Sequence, residues 1–452
     1  MSASVGVVGG GLAGITAALR CADAGRQVTL FESTPRLGGL TYSFRRGDLD
    51  VDNGQHVFLR CCTAYQALLD RLGVADRVTL QPRLDIAVHC PTSTRPARLR
   101  RSGLPAPLHL SGALARYSPL SPAQRLAFVR AALALRRVDP ASPATDEQSF
   151  GAWLAAHGQG ERAVSALWDL VGVATLNARA ADASLALAAT VFQIGLLTDT
   201  AAADIGWSAV PLSRLHGEPA LARLAAAGAR VLTGAKVTAV APKGEGWLIR
   251  SREEDHMVDQ VVLAVPPDAA ERLLPPGSVP LPDGWARGLG STPIVNAHAV
   301  FDRPVMSAPF VAGIDTPIQW VFDRTAQSGL ATGQYLAVSL SAADDLVDLP
   351  TAVLRERLLP ALAALLPRVR EAGVTDFFVT RERHATFRPA PGSARLRPGA
   401  TTAVPGLFLA GAWTATGWPA TMEGAVRSGD AAAGALLAEH SPSSRRGKVT
   451  TP

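Results

Sequence analysis

Cysteine, methionine and tyrosine are scarce: the 452 residues contain four of each. Cys21, Cys61, Cys62 and Cys90 fall at no spacing that builds a metal site or a disulfide framework, which fits a reduced compartment. Charge is thin, since Asp, Glu, Lys and Arg together make up 18% of the chain. Apolar side chains make up 48%, yet no run reaches the ~18 residues that cross a bilayer. The first apolar run starts at Val5, so no leader peptide is expected. No internal repeat is visible. No basic stretch is interleaved with aromatics, which argues against a nucleic-acid partner. The formal net charge of +6, almost all from arginine, still suits an anionic surface such as lipid.

What is present begins at once. Val5-Gly6-Val7-Val8 reads as a strand, Gly9-Gly10-Gly11-Leu12-Ala13-Gly14 as a glycine turn, and Ile15 to Ala24 as a helix. Val28-Thr29-Leu30-Phe31 is a second strand, closed by Glu32, 18 residues after Gly14. Strand, glycine turn, helix, strand and acid in this order form a dinucleotide-binding fingerprint. Gly9 permits the tight turn, Gly11 leaves room for a pyrophosphate, and Gly14 lets the helix pack on the sheet. The helix N-terminus offers free N–H groups to the phosphates, and Glu32 can accept bonds from ribose hydroxyls.

The fingerprint alone does not separate NAD from FAD. A second glycine pair follows in Arg36-Leu37-Gly38-Gly39, and a polar cluster in Asp52-Asn53-Gly54-Gln55-His56. Near the far end, Leu407 to Ala410 is a strand running into Gly411, followed by Thr416-Gly417-Trp418-Pro419-Ala420-Thr421-Met422-Glu423-Gly424 and a small-residue helix. With these segments the chain resembles the flavin amine oxidase and carotenoid desaturase superfamily. Within it, Asp52 to His56, Val210 to Ala220 and Trp413 to Gly429 are most similar to the hydroxysqualene dehydroxylases.

The resemblance implies FAD, held by an α/β Rossmann-like (GR2-type) domain with an interleaved α+β substrate domain. The chain is too long for one core. Residues 1–90, 213–268 and 394–440 are expected to form the FAD domain, 91–212 and 269–393 the substrate domain, and 441–452 a disordered tail. Beside the fingerprint, Ser33, Arg36, Gly38, Gly39, Leu40 and Gly54 are expected along the cofactor. Val237 matches the family position against adenine. Gly411, Ala412, Pro419, Ala420, Thr421 and Met422 match the return segment, whose helix N-terminus faces the flavin pyrimidine ring in the family. Leu40 and Ala412 depart from the superfamily, where an arginine and an acid are common; the acid usually holds a ribityl hydroxyl.

The similarity also implies loss of the hydroxyl from a C30 allylic alcohol to give squalene, with reduced FAD as reductant. An allylic hydroxyl leaves poorly unless protonated, so a positioned acid and a dry apolar chamber are needed. His56 is the acid candidate because histidine titrates near neutral pH; Asp52 and Gln55 are candidates to orient it or a water. His384 is a weaker candidate. A rival is an oxidative desaturase or amine oxidase, for which Trp413 and Trp418 would supply an aromatic cage. A second rival is a flavoprotein that only carries a lipid. No second fingerprint is present, so no NAD(P)H-binding domain is expected and the external electron donor is unidentified.

An apolar terpenoid substrate implies a cytoplasmic enzyme held peripherally on the inner membrane face. Ser121-Pro122 starts a helix on which Leu126, Val129 and Leu133 form one stripe, flanked by Arg125, Arg130, Arg136 and Arg137. The alternative is a helix packed on its own domain with solvated arginines.

Overall fold

The computed structural model describes residues 3–252 and 254–439. The tail expected at 441–452 lies outside the described residues. The five strands Arg230–Leu232, Gln27–Phe31, Ser4–Val8, Gln260–Leu263 and Leu407–Leu409 form one parallel sheet in that spatial order. Sequence order reverses between Ser4–Val8 and Gln260–Leu263, and the cleft at the carboxyl ends there is where doubly wound sheets bind ligands. Ser4–Val8, Gln260–Leu263 and Leu407–Leu409 are almost wholly buried, as expected for a parallel sheet covered on both faces. The first helix, Leu12–Asp23, packs against the last, Met422–Glu439. A Cβ at Gly429 would lie 2.3 Å from the carbonyl oxygen of Ala13, so only glycine permits this approach.

A seven-stranded sheet forms the second layer. Its order is Val374–Phe387, Ser291–Phe301, Gln334–Leu340, Trp320–Asp323, Phe310–Gly313, Asp85–His89 and Ala97–Arg100. Asp85–His89, placed by the sequence reading in the first cofactor piece, pairs here with Phe310–Gly313. Val295, Ala297, Ala299 and Phe301 point one way, into a core shared with Leu354, Leu358, Leu362 and Leu365 of the helix Thr351–Leu365. Period-two alternation sends Asn296 and His298 the other way, toward the Asp52–His56 segment.

Residues 121–212 read as helical from their apolar spacing, yet they end in a short strand. Ile205–Ser208 pairs with both Val57–Leu59 and Val78–Leu80. The helix Pro122–Leu135 has the expected Ser121 cap, completed by Gln124 as a capping box. Phe128, Ala131, Ala132 and Leu135 pack inward on the core that holds Phe150, Trp153, Trp168 and Phe192. Among the described residues no helix is long and apolar enough to cross a membrane.

Candidate active site

The two glycine turns meet back to back. Gly9 takes φ 109°, Gly38 φ 108° and Gly39 φ 58°, values that favour glycine. A Cβ on Gly39 would stand 2.9 Å from Gly11 Cα, and one on Gly14 only 1.9 Å from the Gly9 carbonyl oxygen. Gly38 N–H donates to the Gly10 carbonyl at 2.8 Å. Leu12 and Ala13 turn their side chains into the core, so only their backbone N–H groups are available to a ligand. No side chain caps this helix, which leaves its N-terminus open to an anion.

Buried Glu32 accepts from Gly10 N–H and Thr34 N–H, both at 2.7 Å, and from Ser33 Oγ at 3.1 Å. Its carboxylate therefore shapes the turn as well as facing the cleft. Arg36 donates to the Gly39 carbonyl at 3.2 Å and lies 3.4 Å from the Tyr42 ring centroid. Leu40 is exposed. Val237 begins the antiparallel strand Val237–Lys243.

The second glycine turn leads straight to the polar cluster. Asn53 N–H donates to the Tyr42 carbonyl at 3.0 Å, which pairs the start of the cluster with the segment that leaves the second glycine turn. His56 Nδ1 lies 3.2 Å from the Gly54 carbonyl. A carbonyl only accepts, so Nδ1 carries a proton and Nε2 is the free ring atom. Burial lowers the His56 pKa against the opposing effects of the Gly54 carbonyl and Asp52; Arg324 lowers it further. The ring is therefore neutral at neutral pH. The Gln55 side-chain nitrogen is buried without a partner.

Asp52 does not orient His56. One oxygen pairs with Arg324 Nη2 at 2.6 Å, both side chains being buried, and the other accepts from Ser43 Oγ at 2.6 Å and Leu212 N–H at 3.0 Å. It ties the hairpin Ser43–Arg46/Leu49–Asp52 to the substrate sheet. Nothing in the sequence around Arg324 announced this pair. His384 is exposed and bonded to Ser291 Oγ at 2.8 Å.

The return segment approaches from the other side. Gly411 takes φ 143°, and its N–H donates to Ser428 Oγ at 2.8 Å. Thr421 Oγ1 accepts from Gly424 N–H at 3.1 Å, capping the helix that begins at Met422. Pro419 is buried while Ala420 and Met422 are half-buried. At Ala412 the loop is held by the buried Arg397, which donates to the carbonyls of Ala412, Trp413, Thr414 and Trp418 at 2.6–3.4 Å. Burial pulls its pKa down to about 10. The sequence reading missed Arg397, and an arginine before Pro398 carries no motif that would have marked it.

The tryptophans do not form an aromatic cage. Trp413 is buried against Trp285 at 5.3 Å and donates to the Val265 carbonyl. Trp418 lies under the Arg427 guanidinium at 4.8 Å.

Comparison with known proteins decides the family. The profile described as Flavin containing amine oxidoreductase matches residues 12–437. Hydroxysqualene dehydroxylases of Rhodopseudomonas palustris and Sinorhizobium fredii are 31% and 30% identical, each spanning 97% of this chain and 99% of its own. The chain belongs to the hydroxysqualene dehydroxylase family, among the flavin-containing amine oxidoreductases. A zeta-carotene desaturase of Synechocystis is more distant, at 25% identity over 96% of this chain and 97% of its own. The same fold is seen in a putrescine oxidase bound to putrescine, at TM-score 0.70 and 20% identity over 97% of this chain and 99% of the other. An oxidoreductase of Methanosarcina mazei matches at TM-score 0.73 and 15% identity over 94% and 99%. The protein is an FAD-dependent oxidoreductase. The paired glycine turns and the uncapped helix N-terminus fit the pyrophosphate of that cofactor.

Proposed function

We propose that this chain reductively removes the hydroxyl of hydroxysqualene to give squalene. The observation that carries the reading is the end-to-end match to two relatives of that name. Reduced FAD, when bound, supplies the hydride. One proton and the hydride convert R–OH to R–H and water, so the chain must help oxygen leave and keep bulk water out.

His56 is the proposed proton donor. With Nδ1 on the Gly54 carbonyl, the imidazolium presents Nε2–H to the departing oxygen. Its lowered pKa makes that proton a strong one and its population small at neutral pH. Gln55 is proposed to hold the hydroxyl or a water. Gly9, Gly11, Gly14, Gly38, Gly39 and Glu32 are proposed to cradle the adenosine and pyrophosphate. Val237 is proposed at the adenine, with Ala412 and Pro419 to Met422 at the flavin. The proposed apolar lining is the group of aromatics Trp320, Phe322, Phe310 and Trp207, whose neighbouring centroids lie 5.6–6.2 Å apart.

The reading extends to location, proposed as cytoplasmic and peripheral on the inner membrane face. Leu126, Val129 and Leu133 are 60%, 38% and 44% exposed on one helix face. Ile194 is also exposed, and its neighbour Gln193 bonds the Leu135 and Val138 carbonyls at that helix's end. Arg130, Arg136 and Arg137 flank the stripe and are exposed. Arg125 is folded back onto the Leu120 and Ala115 carbonyls and is less available. Such a face suits insertion among lipid head groups.

The test is anaerobic. The flavin is reduced, hydroxysqualene is added, and flavin absorbance is followed together with product mass. Stoichiometric flavin oxidation and squalene formation are expected; oxidation only with phytoene or an amine would overturn the reading.

A further inference from the structure

On the cleft-facing side of the seven-stranded sheet, one row of opposed residues runs from polar to aromatic. Thr380, Asn296, Ser339 and Trp320 stand directly opposite one another on four adjacent strands. The next row is Phe378, His298, Ala337, Phe322 and Phe310. Opposed residues share a face, so the polar end lies over the Asn53–His56 segment and the aromatic end lies away from it.

The contacts fix most of that polar end. The Asn53 carbonyl accepts from Thr380 Oγ1 at 3.1 Å and from Asn296 Nδ2 at 3.4 Å. Having donated there, Thr380 Oγ1 accepts from His298 Nε2 at 3.0 Å, which leaves His298 Nδ1 to accept from the Tyr335 hydroxyl at 2.7 Å. Within this network Asn296 Oδ1 stands apart, a fully buried acceptor without a partner. Buried orphans of this kind are uncommon in proteins.

Its surroundings are those of the proposed reaction. The point a Cβ would occupy at Gly54 is 3.4 Å from His56 Cε1 and 3.6 Å from Asn296 Nδ2. Gln55, the next residue, contributes the orphaned donor Nε2. A hydroxyl has one proton to give and lone pairs to receive, so an orphan acceptor and an orphan donor match it. We infer that Asn296 is a substrate-binding residue that accepts a hydrogen bond from the substrate's hydroxyl, with Gln55 donating to the same oxygen. The hydroxyl-bearing carbon then lies at the polar end of the sheet beside His56, and the hydrocarbon chain runs over Trp320 and Phe322. This rests on the proposed function, and it adds the residue that tells the alcohol from its hydrocarbon product.

The test compares alcohol with hydrocarbon. The oxidised, FAD-loaded enzyme binds hydroxysqualene without reducing it, so flavin absorbance titrations give dissociation constants for hydroxysqualene and squalene. The parent is expected to prefer the alcohol about tenfold or more, the scale of one satisfied buried polar group. Asn296→Leu removes the amide at similar volume and is expected to erase that preference while leaving squalene binding within about twofold, again on the scale of that one bond. Asn296→Ala serves if the leucine variant loses FAD. A loss of affinity for both ligands alike would assign Asn296 a structural role and overturn the inference. So would an unchanged preference, or a parent that turns over hydroxysqualene yet binds both ligands equally. A parent that does not turn over hydroxysqualene overturns the functional reading itself, and this inference with it.

Discussion

Gly11 has φ −75°, a value any residue adopts, and a Cβ there meets only Gly39 Cα at 3.8 Å. Gly11→Val is therefore expected to fold and to purify without FAD, because its side chain fills the space before the helix N-terminus. Flavin content per chain checks this, and full retention would refute the placement. Gly14 could not serve, since its Cβ would strike the Gly9 carbonyl and break the turn itself. For His56→Ala, FAD and substrate binding are expected to persist while single-turnover flavin oxidation slows by roughly 10²–10⁴. In the parent that rate should rise as pH falls below about 6.5, since the donor is the protonated ring and its pKa is lowered; the variant should lose the rise. A variant within a few-fold of the parent would move the proton source elsewhere. Residues of this kind were legible because glycines and histidines announce themselves in short motifs. Asn296 and Arg324 were not, because each acquires meaning only from a partner more than 240 positions away.

At the scale of elements, the fingerprint was readable because strand, turn and helix are contiguous. The seven-stranded sheet was only half readable. Ser291–Phe301 and Gln334–Leu340 show themselves by composition, whereas Asp85–His89 joins them through parallel pairing with Phe310–Gly313. Ile205–Ser208 is four residues long inside a helical region, and long-range pairing on both sides supplies what its length does not. The loop from Gly411 to Trp418 has no regular structure and is held by Arg397 instead. Arg397→Leu leaves four carbonyls without this donor and is expected to cost about 3 kcal/mol, the scale of breaking a buried network. The loss should appear as a lower thermal midpoint and weakened FAD retention. Unchanged values for both would show that the loop is held by its other contacts.

At the scale of the whole molecule, two fully buried histidines set an acid limit. Burial lowers the pKa of His216 and of His298 to about 3, against about 6.5 in an unfolded chain. The unfolded chain takes up these protons first as pH falls, so the stabilisation is complete above about pH 6.5 and is lost progressively toward pH 3. The slope is about 1.4 kcal/mol per pH unit for each group. Raised Asp169 and Asp430 act in the opposite sense. Chemical unfolding from pH 7 to pH 4 should show the decline, and His298→Gln should make it shallower while His216 keeps its share; a level profile in the parent would contradict neutral burial. The helix Pro122–Leu135 exposes three large apolar side chains on one outer face. The sequence marked Leu126, Val129 and Leu133 as a stripe without saying which way it points, because periodicity gives a face and not its neighbour. The inward face is the other one, built on Phe128, Ala131, Ala132 and Leu135, and the stripe points outward. Parent enzyme is expected to float with vesicles containing anionic lipid at low salt and progressively less as salt screens the arginines. Leu126→Glu combined with Leu133→Glu should reduce flotation at every salt concentration while leaving FAD content and turnover of detergent-dispersed substrate unchanged. Reversing Arg130, Arg136 and Arg137 to Glu should instead abolish the preference for anionic over neutral vesicles. If the parent fails to float at low salt, or if the leucine variant floats as well as the parent, this helix is not the membrane contact.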